Sequence, residues 1–152
     1  MQILKLFFVG CIALGFLGPA TSQPPKIDQA FFGFWNLDVA KSDFAGQPKP
    51  RSGQVNWGKH GWAFALVFAN GDLFTDAVAI DDGCTYLGAS PLQCTYEIVT
   101  PRHVRLTTKE GKKVTRVGDI ELLSDDVTQT THRVTPDDGP AYIEKTVWTK
   151  QK

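Results

Sequence analysis

Apolar and polar positions alternate with a period of two along most of the chain. From Ser52 onward, turn residues interrupt that alternation at the spacing of about 8–12 residues typical of all-β domains, and no helical periodicity competes. A first aromatic stretch, Phe31 to Phe44, places Trp35 and Leu37 on one strand face and Phe34, Asn36 and Asp38 on the other. Gly46 to Pro50 reads as a linker. Strands are then expected over Gln54 to Lys59 and Trp62 to Ala69, separated by His60-Gly61. Asn70-Gly71 is a hairpin signal leading into Leu73 to Ile80, which Asp81-Asp82-Gly83 ends. Gln93 to Thr100, His103 to Lys109, Lys112 to Leu122, Val127 to Thr135 and Tyr142 to Thr149 complete the set. The pattern predicts an all-β, antiparallel up-and-down barrel of about 8–9 strands, because short sequential hairpins suit a meander better than a Greek-key sandwich.

The faces of these strands suggest an interior. Trp62, Phe64, Leu66 and Phe68 share one face of a strand whose other face is Ala63, Ala65, Val67 and Ala69, so both faces are apolar. Polar residues set among apolar ones on a single face are more informative. Asp76 lies with Phe74, Val78 and Ile80, Arg116 with Val114, Ile120 and Leu122, and Tyr96 with Cys94 and Ile98. Burying a lone charge is costly, so such groups pair with one another or meet a ligand, and Asp76 with Arg116 is one possible pairing. Val127 to Thr135 carries Thr and Gln on both faces, which makes part of the interior polar.

The opening Phe31-x-Gly33-x-Trp35-x-Leu37 resembles the Gly-x-Trp start of lipocalins and fatty-acid-binding proteins, the calycin group. The longer run through Ala40-Lys41-Ser42 and Phe44 is similar to that of small secreted bacterial lipocalin-like proteins. The resemblance implies a lipocalin-like barrel that Trp35 closes at one end, with Arg133 as the arginine packed across that indole. The Arg-x-Tyr with which fatty-acid-binding proteins hold a carboxylate has no counterpart in Thr131-His132-Arg133 or Tyr142-Ile143-Glu144.

Residues 1–22 read as a secretory signal: Lys5 precedes an apolar run to Leu17, and Ala20-Thr21-Ser22 offers small residues for cleavage before Gln23. The run is shorter than the roughly 20 apolar residues of a membrane span, and no later stretch reaches that length. An alternative is lipidation of Cys11 after Phe8-Val9-Gly10. Residues 23–152 then form one domain, secreted or periplasmic. Cys84 and Cys94 are expected to form a disulfide there. Their spacing is not Cys-x-x-Cys and no His lies between them, which argues against a redox or metal pair.

Charge narrows the partners. Sixteen Lys and Arg balance sixteen Asp and Glu, and no basic stripe is present, so a nucleic-acid partner is not expected. The three His are scattered, and neither a Gly-x-Ser-x-Gly elbow nor a phosphate-cradling glycine loop occurs, so no enzyme, cofactor or metal is implied. The expected function is binding of a small apolar or amphipathic molecule. Its walls would be Phe64, Leu66, Phe68, Phe74 and Val78, its polar contacts Asp76, Arg116 and Tyr96, and its closed end Trp35. The alternative is an envelope interaction module that meets protein or glycan through surface aromatics, Trp57 and Trp62.

Overall fold

The computed structural model describes residues 25–81, 83–88 and 92–152. The leader expected over residues 1–22, with Cys11, lies outside the described residues. A single 3₁₀ turn, Gln29–Phe31, precedes ten strands: β1 (Gly33–Leu37), β2 (Pro50–Gly58), β3 (Gly61–Phe68), β4 (Leu73–Ala79), β5 (Thr85–Tyr86), β6 (Gln93–Thr100), β7 (His103–Glu110), β8 (Lys113–Ser124), β9 (Val127–Val134) and β10 (Tyr142–Lys150). All belong to one antiparallel sheet in which β1 pairs with both β2 and β10, so the meander closes on itself. The expected up-and-down barrel is what forms, with ten strands instead of 8–9. The additional strand is β5, two residues long, too short for alternation to reveal.

The sheet's two ends, β5 and β6, meet without a hydrogen-bonded ladder. Among the described residues, two side-chain bonds span this seam. Cys84 is joined to Cys94 in a disulfide with Cα atoms 5.3 Å apart, and the Tyr86 hydroxyl hydrogen-bonds Thr108 Oγ1 on β7 at 2.6 Å. A bridge expected only to close a short loop therefore also clasps the barrel.

Strand β2 starts at Pro50, four residues earlier than the expected Gln54. Gly53 is a packing residue: a Cβ there would fall 2.6 Å from Leu66 Cδ2 and 3.2 Å from Leu37. Further register shifts occur on β7 beside β8 and on β6 beside β7. The shift at Thr108/Lys109 interrupts strict alternation on β8, and Val114, expected on the Arg116 face, is exposed.

One barrel end is plugged. Phe31 and Trp35 are fully buried, and Trp35 Nε1 donates to the Phe31 carbonyl at 2.8 Å. Asp28 N donates to Pro101 O, while Arg102 Nη1 reaches Asp28 and Asp125, tying the 3₁₀ turn to two hairpins. The cation over the Trp35 ring is Lys150, with Nζ 5.2 Å from the ring centroid and 2.7 Å from the Ala30 carbonyl it donates to. Arg133, assigned that place by resemblance, instead points outward to Asp119 at 2.6 Å. The reason is register: β10 brings Lys150 directly opposite Trp35, while Arg133 alternates onto the outer face of β9.

Candidate functional site

At the other end the barrel holds a cavity of about 330 Å³. Register explains its lining. Successive interior positions of β8, β9 and β10 fall into rows: Arg116, Val134 and Tyr142 at the mouth, then Gly118, His132 and Glu144, then Ile120, Thr130 and Thr146, then Leu122, Thr128 and Trp148. This wall is largely polar. The facing wall on β2, β3 and β4 is apolar, with Trp57, Trp62, Phe64, Leu66 and Val78 turned inward. The mouth is rimmed by Phe44 and Gln47 and by Phe68 and Phe74.

The rim explains the Ala40-Lys41-Ser42 run. Ser42 Oγ donates to the Asp38 carbonyl at 2.8 Å and accepts from Val147 N at 3.0 Å, folding the chain after β1 back against β10. Asp43 bridges to Lys145, which leaves Phe44 directed into the cavity.

Six of the expected contact residues line this space: Phe64, Leu66, Phe68, Phe74, Val78 and Arg116. Three do not. Trp35 lies in the plug beneath it. Asp76, on the same face as Phe74, is at the seam, where its Oδ1 accepts from Ala77 N and lies near Gly88. Asp76 and Arg116 form no ion pair, since β4 and β8 hold them on different sides of the barrel. Tyr96 packs against Trp62 at 6.1 Å between ring centroids, with its hydroxyl buried and without a partner among the described residues. Burial raises the pKa of that phenol.

Trp57 and Trp62 are not surface groups. They are 6% and 8% exposed and stack at 4.4 Å with an interplanar angle of 21°. The hairpin pairs them directly, and both point inward.

The most developed polar feature is a pair the sequence did not disclose. His132 and Glu144 stand opposite one another on β9 and β10, and Nδ1 of His132 lies 2.9 Å from Glu144 Oε1. Burial lowers the pKa of His132, the nearby Arg116 charge adds to that effect, and the hydrogen bond to Glu144 opposes it. The hydrogen bond from His132 holds Glu144 below its ordinary value, against the effect of burial. At neutral pH the pair is thus a neutral imidazole donating from Nδ1 to a carboxylate. The ring rests over Gly118, where a Cβ would come within 2.8 Å of Cδ2 and 3.0 Å of Nε2. A glycine at an interior strand position was the available signal, since it marks a close approach.

The other two histidines do not join it. His60 is exposed and pairs with Asp81, and His103 lies on the outer face within 2.9 Å of Asp119. No group of three metal-ligating side chains forms among the described residues. Asp119 also accepts from Arg105 at 2.8 Å and Arg133 at 2.6 Å. Its burial acts to raise its pKa, but the hydrogen bonds from Arg133, His103 and Arg105 prevail and lower it to about 2.

Comparison with protein-family models, curated proteins and solved structures found no match. The architecture is consistent with the calycin class of barrels, a statement about fold alone.

Proposed function

We propose that this protein is an exported, non-catalytic carrier that binds a small amphipathic molecule inside the barrel. The observation that carries the reading is the division of the cavity into an aromatic wall and a polar one, the combination by which ligand sites hold and orient their occupants. The Cys84–Cys94 disulfide suits an oxidising compartment, as does the signal-like composition of residues 1–22.

The test is native mass spectrometry of the purified protein with extraction of any adduct, joined to titration with the apolar fluorophore N-phenyl-α-naphthylamine. The expected result is stoichiometric uptake of the probe with quenching of tryptophan emission. Substituting Leu106→Trp, which fills the cavity from β7, should abolish uptake while the circular dichroism stays that of a β-barrel. A folded protein that carries no adduct and takes up no probe would refute the carrier reading.

A further inference from the structure

The carrier reading leaves open which amphipathic molecule fits, and the His132–Glu144 pair narrows it. Glu144 fixes the tautomer of His132. Because Nδ1 donates to the carboxylate, Nε2 is an acceptor, and it has no hydrogen-bond partner among the described residues. Gly118 admits the ring at this position by offering no Cβ. The polar wall therefore presents a fixed acceptor beneath the mouth.

Charge favours a neutral occupant. The titratable groups lining the polar wall are Arg116 on β8, His132 on β9, and Tyr142 and Glu144 on β10. Arg116 lies near enough to Glu144 to favour its ionised form, so one cation and one anion offset each other beside a neutral imidazole. An anionic head at the depth of Nε2 would meet the Glu144 carboxylate. On the facing wall the stacked Trp57 and Trp62, with Phe64, offer aromatic surface, against which flat rings pack well.

We propose that the cavity selects neutral aromatic molecules that carry a hydroxyl, whose O–H donates to Nε2 of His132 while the ring lies against the Trp57, Trp62 and Phe64 wall. This rests on the carrier reading and adds to it the ligand's class and orientation. A site built to accept a hydroxyl's hydrogen bond discriminates against the analogue that cannot donate, because the buried acceptor is then left unpaired.

The experiment compares α-naphthol with α-naphthyl methyl ether by isothermal titration calorimetry on the wild-type protein, His132→Phe and Glu144→Gln. The two ligands share a ring system, and only the first donates. The expected result is that wild type binds the naphthol about tenfold or more tightly than the ether. In His132→Phe the naphthol should fall to the affinity of the ether, which itself changes little. In Glu144→Gln the preference should shrink, because a carboxamide can donate to Nδ1 and no longer fixes Nε2 as the acceptor. Equal affinities in wild type, or a preference that survives both substitutions, would overturn the inference while leaving the carrier reading in place. Failure of wild type to bind either ligand would overturn the inference, with uptake of N-phenyl-α-naphthylamine deciding separately whether the cavity is a carrier site.

Discussion

Cys84 and Cys94 hold their Cα atoms 5.3 Å apart across the seam where β5 and β6 lie side by side without a ladder. The disulfide thus does two things: it restricts the unfolded chain, and it stands in for missing backbone hydrogen bonds in the native one. Replacing both cysteines with serine should lower stability by about 2–4 kcal/mol, read as a shift in urea midpoint. Amide exchange should quicken first in β4, β5 and β6 while β8 and β9 keep their protection. Uniform loss of protection around the barrel would contradict the role of a clasp.

Gly118 and His132 are a matched pair of absence and presence. A methyl group at residue 118 would sit 2.8 Å from the imidazole, so Gly118→Ala should push the ring off its place and break the 2.9 Å contact with Glu144. The expected destabilisation is about 1–3 kcal/mol, from overpacking and a lost buried hydrogen bond. Combining it with His132→Ala should recover much of that loss, since the smaller side chain frees the space. A strictly additive double variant would mean that the two residues do not interact.

Acid should weaken the fold in stages. Asp119 has its pKa lowered to about 2 on folding, so the unfolded chain holds its proton more strongly. Its stabilisation is complete above about pH 4 and disappears as pH falls through about 2. His132 and Glu144 are also lowered from their ordinary values, so each adds a loss in the same direction as pH falls below that ordinary value. Chemical denaturation across this range should show a declining midpoint, and Asp119→Asn should flatten the segment between about pH 4 and 2. An unchanged slope in that variant would remove the Arg105, Arg133 and His103 cluster from the account.

Lys150 secures the plug from two sides, over the Trp35 ring and on the Ala30 carbonyl. Lys150→Met keeps most of the aliphatic stem but loses both polar contacts, and should cost about 1–2 kcal/mol. The Trp35 indole resonance should move in this variant and stay in place in Arg133→Met, whose effect belongs to Asp119 on the outer wall. The opposite pattern would restore Arg133 to the role that resemblance gave it.

Fold class was legible because each strand reports its own alternation and each hairpin its own turn residues. Trp62 to Ala69 and Tyr142 to Thr149 could be placed without knowing their neighbours. The apolar wall was legible for the same reason, since Phe64, Leu66 and Phe68 share a face by local arithmetic. Interruptions to that arithmetic were not: Gly53, left outside the expected strand, is a packing contact within β2, and β5 is too brief to carry a period. Arg116 lies on an interior face as alternation predicted while Asp76 sits at the seam, and alternation contains nothing about how far apart around the barrel two strands stand.

An antiparallel meander, an aromatic interior face and a cysteine pair suited to an oxidising compartment were written locally in the chain, whereas the closing role of Trp35 came from resemblance. The first three follow from periodicity, turn chemistry and composition, all of which act over a few residues. Packing in three dimensions was needed to set His132 facing Glu144 over Gly118, Lys150 over Trp35, and Trp57 stacked on Trp62 inside. Those contacts depend on cross-strand register, which is set jointly by bulges, hairpin lengths and barrel closure, so no single segment of the chain encodes them.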